Sequence, residues 1–195
     1  MTAGRARLMM APPRFQESNP VNRIEHITLM ASYNQWMNQK VYDAARHLTD
    51  AQLLEDRRAF FGSILGTLNH LALGDTVWLK RFAQHPAGYL ALAPLEAVAM
   101  PADLRQLAFA DLRALAAYRI WLDRLIIDWV NTLQAPELDQ RLQYHNMRGV
   151  AANKDFFSLL LHFFNHQTHH RGQVTTLLSQ AGVDVGDTDL LALID

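Results

Sequence analysis

Four long stretches of this chain repeat apolar residues with the helical period, and this pattern constrains the fold more than any other feature. The apolar positions recur about every three to four residues over residues 23–48, 63–83, 102–134 and 154–181. Strand signals are weak, and residues 142–150 predict only a small hairpin before the last helix. Amphipathic helices of this length must bury their apolar stripes against one another. The sequence therefore predicts an all-α fold built as a four-helix bundle.

The length of 195 residues fits one domain with a short appendage. Residues 1–21 lack periodicity and hold three of the seven prolines, so we interpret them as a flexible or extended N-terminal arm. The domain is predicted to span residues 22–195, starting with a capping signal at Asn22 and Glu25. Residues 84–101 are rich in proline and predict a long, lid-like connection.

Composition excludes several classes of function. Lys and Arg total 18 against 19 Asp and Glu, so the chain lacks the basic excess typical of binding to a nucleic-acid backbone. The absence of cysteine excludes disulfides and thiolate metal sites and leaves His and carboxylate as strong ligands. No apolar run approaches the ~20 residues of a membrane span, and the N-terminus has no apolar core of signal-peptide length. We therefore expect a cytoplasmic protein that binds neither nucleic acid nor membranes.

Histidines are concentrated in the last predicted helix, where His162, His166, His169 and His170 fall within nine residues. At about 100° per residue the four rings share one helical stripe. Imidazoles one turn apart have Cβ atoms about 5–6 Å apart, from which two rings can converge on one cation. Spacing alone leaves open which pair binds, and a third ligand must come from elsewhere in the fold. The best candidate is His70, in an apolar helical stretch upstream.

Three imidazoles predict a divalent metal ion with coordination positions left open for water or substrate. Zinc, nickel, iron and manganese all accept such ligands, and the sequence does not choose among them. The His-x3-His spacing is similar to that of the zinc protease helix HExxH, but Gln167 stands where that motif has its glutamate. Because an amide cannot act as a general base, we reject the protease interpretation.

Residues 165–173, with the sequence NHQTHHRGQ, resemble the HxxxHRGQ signature of the DinB family. Residues 62–82 resemble the helix that carries the family's first ligand, and the whole resemblance covers residues 24–194. It implies an up-down-down-up four-helix bundle that is usually homodimeric. Position by position, it implies His70, His166 and His170 as the metal ligands.

The resemblance also bears on the reaction. Family members with an assigned activity act on thiol cofactors, as S-transferases or mycothiol-dependent isomerases. We therefore expect a metal-dependent transferase or hydrolase for a small substrate, with a low-molecular-weight thiol as co-substrate in the transferase case. The alternative is a non-enzymatic metal-binding module in a stress or damage response.

Several further residues are candidates for supporting the site or lining a pocket. Six polar side chains share a helix with a candidate ligand or a core stripe: Asn34, Asn69, His162, Asn165, His169 and Gln173. Asp75 is expected to pair with Arg171 or Lys80 rather than bind metal. Gly172 predicts a close helix approach, because glycine is costly in a helix interior. The remaining histidines of the chain are read as surface residues, namely His26, His47, His85 and His145.

The third predicted helix carries an apolar stripe wider than one neighbouring helix usually covers. Together with the family resemblance, this stripe predicts a homodimer anchored by Trp121, Leu125 and Trp129. The alternative is that these side chains pack inside their own chain, beneath the arm and the connection at residues 84–101.

Overall fold

The computed structural model describes residues 22–194, and the arm predicted for residues 1–21 lies outside them. The chain folds as the expected all-α bundle with a small hairpin. None of the helices in the described part is long and apolar enough to cross a membrane. The helices are α1 Arg23–Ala45, α2 Asp50–Leu54, α3 Ile64–Phe82, α4 Leu112–Val130 and α5 Phe156–Gln180; the strands are β1 Arg141–His145 and β2 Ala151–Asp155; 3-10 turns cover Leu90–Ala97, Ala135–Asp139 and Leu190–Leu193.

Each long helix begins after a polar residue whose side chain accepts hydrogen bonds from amides of the first turn. These capping residues are Asn22, Ser63, Asp111 and Asp155. The last helix ends at Gln180 and is followed by Gly182, as its sequence predicts; the φ of 81° at Gly182 is readily adopted only by glycine. The amide of Val183 donates to the carbonyl of Leu178 at 2.9 Å, which closes the helix end.

The contacts at the helix ends define the direction of each helix. Phe82 at the end of α3 contacts Trp129 near the end of α4, so these two helices are parallel. Phe82 also contacts Phe156 at the start of α5, so α3 and α5 are antiparallel. Arg23 at the start of α1 lies over Phe157, so α1 is parallel to α5. Since α1 packs on α4 and α5, and α3 packs on the same two, the bundle has the predicted up-down-down-up order.

The third of the four predicted long helices corresponds to α4. It begins at Leu112, ten residues later than the periodicity predicts. Residues 102–111 instead form an irregular segment that lies against α3. The backbone of Phe109 bonds to the side chain of Asn69, and the carbonyl of Leu104 lies 3.1 Å from Nδ1 of His70. These bonds to α3 replace the intrahelical bonds that the segment would otherwise form.

The connection at residues 84–101 packs on the bundle rather than standing away from it. Leu92 and Leu95 are buried in the core, and the ammonium group of Lys80 donates to the carbonyls of Leu95 and Val98, each at 2.6 Å. The connection therefore covers part of α3 and α4 as a fixed layer.

This layer explains the wide apolar stripe on α4 without a second subunit. Trp129 is fully buried, stacked on Phe82 at 5.0 Å and contacted by the edge of Tyr89 at 5.8 Å. Leu125 is also buried, whereas Trp121 is half-buried. The prediction that Leu125 and Trp129 anchor a dimer interface was wrong, because both side chains are buried within their own chain.

The C-terminal tail packs in part against α1. Leu190 and Leu193 contact the core, and the Tyr33 hydroxyl donates to the Thr188 carbonyl at 2.7 Å. Leu191, between them, is instead 74% exposed.

Candidate metal centre

Two antiparallel neighbours, α3 and α5, bring three imidazoles together. His70 projects from α3, and His166 and His170 project from successive turns of α5. The Nε2 atom of His70 lies 3.2 Å from Nε2 of His166 and 3.2 Å from Nε2 of His170. Ligand nitrogens of all three residues lie within 4.8 Å of one another. The structure thus brings together the set that the family resemblance implies.

The spacing of these nitrogens fits a shared metal ion. Three nitrogens about 2.0–2.1 Å from one ion at tetrahedral angles are about 3.3–3.4 Å apart. Neutral imidazoles meeting at 3.2 Å direct lone pairs at one another unless a cation or a proton lies between them. The donor set is therefore suited to a divalent ion that accepts imidazole ligands.

Hydrogen bonds at the far side of two rings set their tautomers. Nδ1 of His70 lies 3.1 Å from the carbonyl oxygen of Leu104, and Nδ1 of His170 lies 2.7 Å from Oε1 of Gln173. Both partners are acceptors, so each Nδ1 carries the proton and each Nε2 presents a lone pair to the shared point. Nδ1 of His166 is buried without a partner.

Burial keeps the three imidazoles uncharged. Burial, with a smaller contribution from neighbouring histidines, lowers the pKa of His70 to about 4, against the opposing effect of the Leu104 carbonyl, and that of His166 to about 3. The pKa of His170 is also lowered, chiefly by burial and against the opposing effect of Gln173. All three rings are therefore neutral at pH 7, which is the state required of a metal ligand.

Two residues that the sequence analysis missed give the site its shape. A Cβ atom at Gly74 would lie 3.1 Å from Cε1 of His166, so the ring occupies space that only glycine leaves open. Phe61, just before α3, stacks on His70 at 3.8 Å and contacts His170 edge-to-face at 5.4 Å. Gly172, which the sequence flags instead, has no atom within 4 Å of where its Cβ would be. The close approach occurs on α3, opposite the ligand helix.

The structure separates the six predicted supporting residues. Gln173 contacts a ligand directly, as described above. The ring of His169 packs edge-on against His170 at 4.8 Å, and the ring of His162 lies 6.0 Å from that of His166. Asn165 is exposed. Asn69 and Asn34 bond elsewhere, Asn69 to Phe109 and Asn34 within a polar network in the core.

That network holds buried charges that composition alone does not reveal. Asp75 pairs with Arg119 on α4, so the expected pairing with Arg171 or Lys80 was wrong. Nη2 of Arg119 also lies 3.0 Å from Oδ1 of Asp123. Burial raises the pKa of Asp75 to about 6 against the opposing effect of Arg119, so the carboxyl is still ionised at pH 7.

Around this pair, amide side chains of α1 complete the network. Asn38 donates to Asp123 at 2.9 Å, and Arg171 donates to the side-chain oxygen of Asn34. The network joins α1, α3, α4 and α5 with two arginines and two aspartates, so its formal charges balance. The clue available in the sequence is Asn34, a polar residue on the core stripe of the first helix.

His85 was wrongly read as a surface residue, because it is 2% exposed. Its ring stacks on Tyr89 at 5.3 Å and lies 4.3 Å from the ring of Phe156. Nδ1 accepts a hydrogen bond from the amide of Ala87 at 3.2 Å. His47 and His145 are exposed, as expected.

Comparison with known proteins agrees with the sequence signature. A family model described as the DinB family matches residues 18–195. Protein DinB of Bacillus subtilis is 28% identical over 159 residues, an alignment that covers 80% of this chain and 87% of that protein. No solved structure gives a significant match.

Proposed function

Because this chain belongs to the DinB family, we propose that it binds a divalent metal ion through His70, His166 and His170 and acts as a metal-dependent enzyme on a small substrate. The observation that carries the proposal is the convergence of three Nε2 lone pairs on one point. Two of the rings are held in the required tautomer, and burial keeps all three neutral.

When bound, a divalent ion with three neutral imidazole ligands retains its positive charge and lowers the pKa of a coordinated thiol or water. Main-chain and side-chain groups of the protein orient and shield two of the three imidazoles. The Leu104 carbonyl and Gln173 orient two ligand rings, and Phe61 shields the stacked face of His70 from water. Gln167, in the position of the protease glutamate, is fully buried in the bundle, so hydrolysis assisted by that position is excluded.

Metal analysis tests the first half of the proposal. We expect the purified protein, supplemented with zinc, nickel, iron or manganese at neutral pH, to retain about one ion per chain. Single changes of His70, His166 or His170 to Ala should lower that content sharply. His47→Ala and His145→Ala, at exposed positions, are matched controls and should retain it. Absence of a bound divalent ion in the wild type would refute the metal site.

A turnover screen tests the second half. The metal-loaded protein is incubated with electrophilic substrates and a panel of low-molecular-weight thiols, and in parallel with ester and amide substrates without thiol. Turnover that requires both metal and thiol supports an S-transferase, and turnover that requires metal alone supports a hydrolase. A metal-loaded protein that is inactive in both arms would contradict the enzymatic part of the proposal.

The second candidate function is a non-enzymatic metal-binding module of a stress or damage response. It is favoured by Phe61, which stacks on one ligand ring and contacts another and so narrows access to the nitrogens. Cobalt substitution distinguishes the two functions, because cobalt absorption reports its coordination. A spectrum that changes when a small thiol is added indicates an open position and supports the enzyme. A spectrum that stays constant supports the module.

A further inference from the structure

Arg81 occupies an unusual position at the end of α3, next to the hairpin. The residue is 7% exposed, and two aromatic rings lie against its charged group. Its guanidinium carbon lies 4.6 Å from the centre of the Trp78 ring and 4.9 Å from that of Tyr144, which β1 supplies. The two rings are 5.5 Å apart at an angle of 60°, so they form a wedge that holds the guanidinium.

This buried cation lacks a partner among residues 22–194. None of the ion pairs in that part of the chain includes Arg81, and its Nε is fully buried without a hydrogen-bond acceptor. Burial lowers the pKa of Arg81, although Tyr144 opposes the effect. The negative end of the α3 dipole and the faces of two aromatic rings stabilise the positive charge of Arg81, but they offset only part of the cost of burying it. An anion placed against the guanidinium would offset the remaining cost of burial.

Arg81 is connected to the three-histidine centre by a continuous line of rings. Along α5, the ring of His162 lies 6.0 Å from that of His166. It also packs edge-on against Trp78 at 5.0 Å. Trp78 in turn carries the guanidinium of Arg81. The line runs along the contact between α3 and α5 for two to three helical turns, a separation on the order of 10–15 Å.

We propose that Arg81, with Trp78 and Tyr144, forms a carboxylate-binding subsite for an elongated ligand whose other end reaches the three-histidine centre. This inference rests on the proposed function and adds a substrate class to it, namely small molecules that carry a metal-binding group and a remote carboxylate. The rings along this line are not fully buried and give the body of such a ligand an aromatic surface to lie against.

The shape of the wedge favours a carboxylate over other anions. Because the two ring centres are only 5.5 Å apart, both rings lie on the same side of the guanidinium carbon and leave its other side open to an anion. A carboxylate is planar and can accept two parallel hydrogen bonds from the edge of a guanidinium.

A molecular ruler tests the subsite in the cobalt-loaded, full-length protein. Mercaptopropionate and mercaptoundecanoate are titrated in, and binding of sulfur is followed by charge-transfer absorption of the cobalt. Each acid is compared with the alcohol of the same length, mercaptopropanol or mercaptoundecanol. Only the long acid reaches Arg81, so we expect it to bind about tenfold tighter than its alcohol, as a charge-assisted hydrogen bond implies. The short acid cannot reach Arg81, so any difference between it and its alcohol arises at the metal and should be the same in every variant.

Three variants locate the effect. Arg81→Gln should abolish the preference for the long acid, and Arg81→Lys, which keeps the charge but loses the planar edge, should retain only part of it. Arg124→Gln, at an exposed arginine on α4, is the matched control and should retain all of it. Unchanged binding of the short thiols in each variant shows that the fold and the metal centre are intact.

The possible results distinguish a failure of the carboxylate subsite from a failure of the proposed metal centre. If cobalt is not bound, the proposed metal centre fails. If cobalt and thiols bind but the long acid has no advantage, or the advantage survives in Arg81→Gln, the subsite is refuted while the metal centre stands.

Discussion

Asn69 ties the irregular segment 102–111 to α3, and removing its side chain should loosen that segment measurably. The fully buried amide accepts from the Phe109 amide at 2.9 Å and donates to the Phe109 carbonyl at 3.1 Å. At about 1 kcal/mol for each bond to Phe109, and with a third bond to the Leu65 carbonyl at 2.9 Å also lost, Asn69→Ala should lower the free energy of unfolding by at least about 2 kcal/mol. For a chain of this size, that corresponds to a melting temperature lower by about 4–8 °C.

The effect has a local signature as well. Because the lost bonds hold one segment, exchange of the Phe109 amide proton should accelerate about thirtyfold, the equivalent of 2 kcal/mol. Asn69→Leu keeps the side-chain volume but not the bonds, so it should exchange as fast as the alanine variant. The control is Asn165→Ala, at an exposed position on α5.

The reasoning would be refuted in either of two ways. Normal stability and normal Phe109 exchange in Asn69→Ala would show that the bonds to Phe109 contribute nothing. Recovery of both properties in Asn69→Leu would show that volume, and not hydrogen bonding, is what Asn69 supplies.

Three further predictions concern other parts of the chain. Gln173→Leu removes the acceptor that orients His170 and should weaken metal binding about 10–100-fold in a chelator competition; Gln180→Leu, further along α5, should leave it unchanged. Burial lowers the pKa of His85, so below about pH 6.5 the unfolded chain takes up a proton that the folded chain resists. Stability to urea should therefore fall on acidification, and His85→Phe should flatten that dependence, whereas an unchanged slope would contradict it. The family resemblance predicts a homodimer, so light scattering should give about twice the chain mass of 22.2 kDa, and a monomer mass would refute it.

The cluster of three histidines was predictable because it depends on local periodicity and one motif. His166 and His170 lie one turn apart on any helix that includes both, whatever surrounds it. His70 could be predicted as the third member because it lies in a long apolar helical stretch, and such a helix is buried in a bundle. The hairpin was equally local, since its strands are joined by a short turn that ends at Gly149, where φ is 75°.

The late start of α4 depends on contacts that periodicity does not contain. Residues 102–111 include good helix formers, yet Asp111 caps the helix and Phe109 bonds to Asn69, forty positions earlier. Local propensity is worth a few tenths of a kcal/mol per residue, so two tertiary hydrogen bonds and a cap are enough to decide the boundary.

The buried charges were hidden for a related reason. Arg119 and Asp123 stand one turn apart, a spacing that usually marks a pair on a solvated helix surface. This pair is buried because Asp75 of α3 packs against it and pairs with Arg119. The sequence of α4 alone contains no signal for that contact.

Because α3 and α4 are parallel, the chain between them, residues 83–111, must travel back along the length of the bundle. This return segment passes beside the three histidines. There it bonds to α3 through the Leu104 carbonyl and the backbone of Phe109. Main-chain groups are offered by almost any amino acid. Side chains of the return segment can therefore be replaced without loss of its contacts to His70 and Asn69, so the same three imidazoles are compatible with many different neighbours on this side.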